Sequence, residues 1–169
     1  MPRDAARPGS PHIRRLHPGD LGWVVQRHGV LYAREYGWDM SFEALVARIV
    51  AEFGEGGDRS RTDGWIAEVD GRAVGSVLCS QRDQATAQLR LLLVEPEARG
   101  RGVGARLVDE CVRFARRAGY QSIVLWTNDV LVAARPLYER SGFELTDEEA
   151  HHSFGQDLVG QHWRLVLSG

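Results

Sequence analysis

Residues 89–119, LRLLLVEPEARGRGVGARLVDECVRFARRAG, join a short apolar run to an amphipathic one through a loop of arginine and glycine. Residues 89–94 are almost wholly apolar and Pro96 closes them, the pattern of a strand covered on both faces. Beyond the loop, Val103, Leu107, Cys111, Phe114 and Ala118 recur at spacings of four, four, three and four. Arg106, Asp109, Arg113 and Arg117 fall elsewhere, which predicts a helix with one apolar face that stops at Gly119. Between the two lies Arg99-Gly100-Arg101-Gly102-Val103-Gly104-Ala105. Glycine lets the backbone come close to a ligand and turn its N–H groups toward one point. The free N–H groups and the positive dipole end of the first helical turn converge there too, so the loop suits a phosphate or diphosphate.

Two nucleotide loops compete for this stretch. Gly100-x-Gly102-x-x-Ala105 satisfies the dinucleotide-binding pattern, with Asp129 placed to meet a ribose. Five residues separate Val94 from Gly100, however, whereas that fingerprint starts directly after its strand, and too little chain follows for a doubly wound sheet. The phosphate loop of nucleotide hydrolases needs Gly-Lys-Ser/Thr, and this chain has no lysine. The plain alternative is a tight glycine-rich turn with solvated arginines.

The chain's 169 residues and 43% hydrophobic content predict one domain over residues 12–169, behind a loose tail of residues 1–11 that holds three of the six prolines. All 21 basic residues are arginine against 23 acids, and the formal charge of -2 implies no broad surface for nucleic acid or membrane. Without lysine, Schiff-base chemistry through a side-chain amine is excluded. Cys79 and Cys111 fall in apolar segments and read as buried free thiols of a reducing cytosol. No apolar run approaches the length of a membrane span.

In chain order, residues 12–16 read as an edge strand. Asp20 is the expected cap of a helix carrying Leu21, Val24, Val25, His28, Leu31, Tyr32 and Glu35 on one stripe. Ser41 is the expected cap of a second helix, through Phe42, Leu45, Ile49 and Phe53 to the Gly54 to Gly57 break. Asp70-Gly71 predicts a two-residue hairpin turn between strands at 65–69 and 73–80. Residues 85–94 return as the central strand, and 122–126 form a strand parallel to it, reached by the crossover helix. Pro136 implies a late start or a kink in the next helix. Residues 143–145 and 161–167 read as the last strands, with His151 to Gly155 and their sequel as a long connection.

Arg99-x-x-Gly102-x-Gly104 after Val94-Glu95-Pro96, followed by Leu137-Tyr138-Glu139-Arg140-Ser141-Gly142-Phe143, resembles the acetyl-CoA signature of the GCN5-related N-acetyltransferases (GNAT). The resemblance is closest to the acetyltransferase half of bacterial MarR-type regulator–acetyltransferase fusions, in RHGVLYAREYGWD, LRLLLVEPEARGRGVG and SFGQDLVGQHWRLVL, and runs from about His12 to Leu167. It implies a mixed α/β fold, a twisted mixed sheet of six to seven strands with helices on both faces and the central strand splayed from its parallel neighbour. It implies transfer of acetyl from acetyl-CoA to a small-molecule amine by direct attack in a ternary complex. The alternative is a non-catalytic acyl-CoA-binding module partnered with a transcription regulator. A homodimer is compatible with either.

By the same resemblance, main-chain N–H groups of Gly100, Arg101, Gly102, Val103, Gly104 and Ala105 hold the diphosphate of coenzyme A, Arg99 and Arg101 add charge, and the pantetheine lies along Leu92, Leu93 and Val94. Tyr138 is the implied general acid, its ordinary pKa of about 10 keeping it protonated. The strand glutamate that often serves as base in relatives is missing, since the chain reads Leu125-Trp126-Thr127 there. Glu35 and His28 share a face of the first helix as the candidate bases. The plain readings are an arginine partner, Arg34 or Arg48, for Glu35, and a satisfied core position for His28. The acceptor pocket is expected among Tyr32, Glu35, Tyr36, Trp38, His151 and Trp163, which suits an amine that also carries a carboxylate, such as an amino acid. His151-His152 lacks a third ligand at metal spacing, so no metal is expected.

Overall fold

A computed structural model describes residues 9–56 and 58–167; residues 1–8, most of the expected tail, and Gly57 lie outside the described residues. The strands are β1 (Pro11–Arg15), β2 (Asp63–Val69), β3 (Arg72–Gln81), β4 (Thr86–Val94), β5 (Ser122–Asn128), β6 (Glu144–Ser153) and β7 (Gln156–Val166). The helices are α1 (Asp20–Tyr36), α2 (Met40–Glu55), α3 (Val103–Arg117) and α4 (Arg135–Arg140), with a short 3-10 turn at Pro96–Ala98. The strands form one seven-stranded sheet in the order β1-β2-β3-β4-β5-β7-β6. Every neighbouring pair is antiparallel except β4 and β5.

The helices cover both faces, as their apolar stripes require. Val103, Leu107, Val108, Cys111, Phe114 and Ala115 of α3 pack with Trp65, Val77, Leu89 and Ile123 from the sheet. A fully buried leucine such as Leu107 contributes about 1.5–3 kcal/mol here. On the opposite face, Val24 of α1 and Phe42, Val46 and Val50 of α2 pack with Trp38, Ile66 and Leu158. Cys79 and Cys111 are buried free thiols, and Cys79 beside Cys111 pushes the latter's pKa up. Among the described residues no helix is long and apolar enough to cross a membrane.

Local signals set most boundaries. Asp70 and Gly71 both have positive φ (51° and 78°), as a two-residue turn between right-twisted strands requires. Pro136 sits in the first turn of α4, where its missing N–H breaks no helical bond, so the helix starts late. Neither expected cap forms. The N-cap of α1 is Gly19, while the Asp20 carboxylate accepts from the His17 N–H at 2.7 Å and from Arg14 at 2.7 and 3.0 Å. The N-cap of α2 is Asp39, which accepts from the Ser41 N–H at 2.9 Å.

The largest correction lies at the C-terminal end. The expected long connection is instead a β6–β7 hairpin that turns at Phe154 and Gly155 (φ 57° and 79°), with Ser153 paired to Gln156. Seven consecutive residues of β6, from Glu144 to Ala150, are exposed, so the strand carries no apolar alternation from which it could be read. It is an edge strand, and it carries the charges that typically disfavour edge-to-edge pairing.

Candidate active site

The parallel pairing of β4 and β5 lasts for only three residues, Thr86 with Ser122, Ala87 with Ile123 and Gln88 with Val124. From Leu89 onward the β5-facing edge of β4 has no ladder partner, so the central strand is splayed from its parallel neighbour as expected. The β3–β4 register also shifts between Ser76 and Leu78, where Leu91 adopts a positive φ of 54° and the Ser76 hydroxyl donates to its carbonyl at 2.9 Å. Such a bulge re-aims the residues that follow it. The gap opens into a cavity of roughly 650 Å³. Leu92, Leu93 and Val94 line it along the strand, Gly100, Gly102, Val103, Gly104 and Ala105 line one end, and Tyr138 and Asn128 form part of the wall. His28, Tyr32, Tyr36, Trp38, Phe42 and Phe154 contribute an aromatic wall.

The glycine loop has the form that a phosphate group requires. Gly100 and Gly102 hold positive φ (78° and 76°), and a Cβ built on either meets nothing within 4 Å, so the space before the helix is open. Gly102 is the N-cap of α3 and provides no side chain to satisfy the first-turn N–H groups, which stay free for an anion. Gly104 serves packing: a Cβ there would stand 2.6 Å from Cδ1 of Leu137. Arg101 is exposed. Arg99 reaches back, donating from Nε to the Val94 carbonyl at 3.3 Å and pairing with Glu35 at 2.8 Å.

Glu35 is thus paired with an arginine, though not with one of the two expected. Its partner is Arg99, not Arg34 or Arg48, and Glu35 is not among the cavity-lining residues. Tyr138 is 4% exposed, and burial pushes its pKa up, with Cys111 adding to the shift. Burial raises Tyr32 as well, and the Tyr138 phenol raises it further. His28 is fully buried, its Nδ1 2.8 Å from the Val24 carbonyl, and Nε2 has no partner among the described residues. Burial lowers its pKa to about 4, so the ring is neutral.

Three of the expected aromatic residues, Tyr32, Tyr36 and Trp38, line the cavity together. Tyr32 stacks on Phe42 (centroids 4.9 Å apart) and meets Trp38 and Tyr36 edge-on at 5.4 and 5.5 Å. Trp163 instead belongs to the core on the α3 face. His151 lies outside the lining and bonds Asn128 and Ser153, each at 2.8 Å. Phe154 joins the cluster 4.9 Å from Trp38, delivered by the hairpin turn that sequence reasoning read as a connection. Among the described residues no three His, Cys, Asp or Glu side chains gather in a metal-binding group.

The model of the acetyltransferase (GNAT) family matches residues 27–143, from the middle of α1 through the glycine loop to the residue after α4 and its turn. The chain belongs to the GNAT family of acetyltransferases. Human N-acetyltransferase 8B is 35% identical over 103 residues, 58% of this chain and 45% of that protein. N-acetylaspartate synthetase of Danio rerio is 36% identical over 85 residues, 50% of this chain and 30% of that protein. The chain thus spans less than half the length of these curated relatives. Among solved structures, yncA of Salmonella typhimurium, with its cofactor acetyl-CoA, superposes with a TM-score of 0.74 at 19% identity, covering 94% of this chain and 95% of the other. That likeness is one of fold.

Within this GNAT chain two cavity-lining polar residues of β4, Gln88 and Arg90, had escaped the sequence reading. The signal was present: Arg90 is the lone charge in residues 89–94. Glu95 was missed as well. It is 4% exposed and is held by Arg27 of α1, which fixes the end of β4 against that helix.

Proposed function

We propose that this chain transfers the acetyl group of acetyl-CoA to the amine of a small molecule, with both substrates bound together where β4 and β5 part. One observation carries the reading: a single cavity joins the free N–H groups at the start of α3 to the buried Tyr138 and to an aromatic wall. When bound, acetyl-CoA supplies a thioester carbonyl open to attack by an amine. The N–H groups of Gly100 to Ala105 grip its diphosphate, and the unpaired edge of β4 at Leu92, Leu93 and Val94 offers main-chain donors for the pantetheine and for a developing oxyanion. Tyr138 gives its hydroxyl proton to the departing thiolate, and the proton that the attacking amine sheds returns through solvent in the cleft to the Tyr138 phenolate, so the acid is restored at each turnover. Its raised pKa keeps that proton in place across neutral and mildly alkaline pH.

Glu35 enters this scheme as the anchor of Arg99, and through it of the glycine loop, rather than as a base, because its carboxylate is already engaged. Tyr32, Tyr36 and Trp38 form the acceptor wall. An amino-acid-like acceptor suits this wall, and the Danio rerio relative is named for an acetylated amino acid.

The test is thiol release from acetyl-CoA with a panel of amines, for the native chain and for Tyr138→Phe. Among the described residues the Tyr138 hydroxyl makes no hydrogen bond, so the variant keeps its thermal midpoint. Its kcat is expected to fall by about 10²–10⁴, the range of a positioned general acid. Full turnover by Tyr138→Phe would remove the acid assignment, and donor binding without thiol release for any amine would favour a sensor of acyl-CoA.

A further inference from the structure

Arg90 interrupts the apolar run of β4 and lines the cleft together with Gln88, Leu91 and, from α2, Leu45 and Ile49. Gln88 and Arg90 are two residues apart on one strand, so their side chains leave the sheet on the same face. Four arginines among the described residues are not exposed: Arg14, Arg27, Arg61 and Arg90. Three are held. Arg14 pairs with Asp20 and Glu68, Arg27 pairs with Glu95, and Arg61 donates to the Ala118 and Gln84 carbonyls. Arg90 forms neither an ion pair nor a hydrogen bond among the described residues. The exposed Glu52 of α2 acts on it only from a distance, and partial desolvation lowers its pKa. A half-desolvated cation with no partner is unfavourable in the free protein and becomes favourable once an anion completes it.

We propose that Arg90, with Gln88 beside it, binds the carboxylate of the acceptor, so that the amine acetylated by this chain belongs to an amino acid. The inference rests on the acetyl-transfer reading and deepens it. A guanidinium presents two parallel N–H donors to the two oxygens of a carboxylate, and the Gln88 amide adds a neutral donor on the same face. Charge selects between anions. Arg90 is the one charged residue of β4, and of the other arginines lining the cleft Arg99 is held by Glu35 and Arg140 belongs to α4. A lone cation on the strand matches a monoanion, whereas a phosphate dianion calls for a second cation beside it. The leucines and isoleucine around it exclude water, so the pair forms in a medium where it discriminates strongly between charged and neutral acceptors.

The experiment compares initial rates for α- and ω-amino acids, each beside its primary amide, in the native chain and in Arg90→Gln, Arg90→Met and Arg90→Lys. The native chain is expected to prefer the free acid by about tenfold or more in kcat/KM, carried in the acceptor KM. Arg90→Gln and Arg90→Met bring acid and amide to parity, Arg90→Lys keeps part of the preference, and the KM for acetyl-CoA stays unchanged. Equal use of acid and amide by the native chain, turnover of uncharged amines only, or a preference that survives in both Arg90→Gln and Arg90→Met overturns the proposal. Calorimetry with acetyl-CoA separates the two failures. Donor binding without turnover of any acid sinks the Arg90 assignment alone, and no donor binding by folded protein sinks the acetyl-transfer reading with it.

Discussion

His28 sets a pH limit on the stability of this fold, and its size follows from the geometry. The ring packs among the helices of one face, 5.5 Å from Tyr32 and 6.3 Å from Phe42, centroid to centroid. Nδ1 is satisfied by the Val24 carbonyl, and Nε2 faces no group that welcomes a proton. Burial therefore holds the folded pKa at about 4, against 6.5 for an ordinary histidine. The unfolded chain takes up the proton first as the solution is acidified. The neutral ring's contribution is thus complete above pH 6.5 and is lost as pH falls from there toward 4. The full gap is worth about 3 kcal/mol, most of which is gone by about pH 4.5. The perturbation is His28→Phe, which keeps an aromatic ring and removes the titration. The hydrogen bond to Val24 is lost too, about 1 kcal/mol, but at every pH. Urea denaturation at about pH 7.5 and about pH 4.5, treated as two-state, gives the loss on acidification for each protein. The carboxylates titrate in both and cancel, so the native chain should lose about 2–3 kcal/mol more than the variant. Equal losses would refute the reasoning, because they would mean that His28 reaches water or a partner in the folded state.

Two further outcomes test the loop and the frame around it. Gly102→Val places a side chain in the open space before α3 at a positive φ, so acetyl-CoA affinity should fall by about tenfold or more in calorimetry; an unchanged Kd would take the loop out of donor binding. Glu95→Gln leaves Arg27 without its charge partner and should cost about 3 kcal/mol in urea denaturation, while the double variant Glu95→Leu with Arg27→Met recovers most of it; a single-variant loss below about 1 kcal/mol would show a pair screened by solvent.

The parts of this structure legible in the sequence are those set by local chemistry. The strand–loop–helix unit at Leu89 to Gly119, the Asp70-Gly71 turn and the late start of α4 at Pro136 each follow from a periodicity or from a residue with restricted backbone angles. The β6–β7 hairpin was hidden because Asp147, Glu148 and Glu149 face water, and an exposed edge strand has no apolar face to declare it. The caps were misplaced by one residue in α1 and by two in α2, since Asp39 and Ser41, like Gly19 and Asp20, are chemically able to serve and only the chain's entry angle chooses between them. The site was half legible. The glycine loop and Tyr138 lie within one motif, but Arg99 meets Glu35 across 64 positions of chain, and no spacing rule reaches that far. Arg90 was in plain view as a charge among leucines; what the sequence withheld was that, among the described residues, no acid pairs with it.

The three-residue ladder between β4 and β5 makes the sheet two plates joined by a short weld, with α3 as the brace across one face. A substrate lying in the open part of that junction stands where a strand's backbone would otherwise be. In the proposed mode of binding the donor completes this unfinished sheet, and the stiffness of the whole molecule would then record whether the donor is aboard.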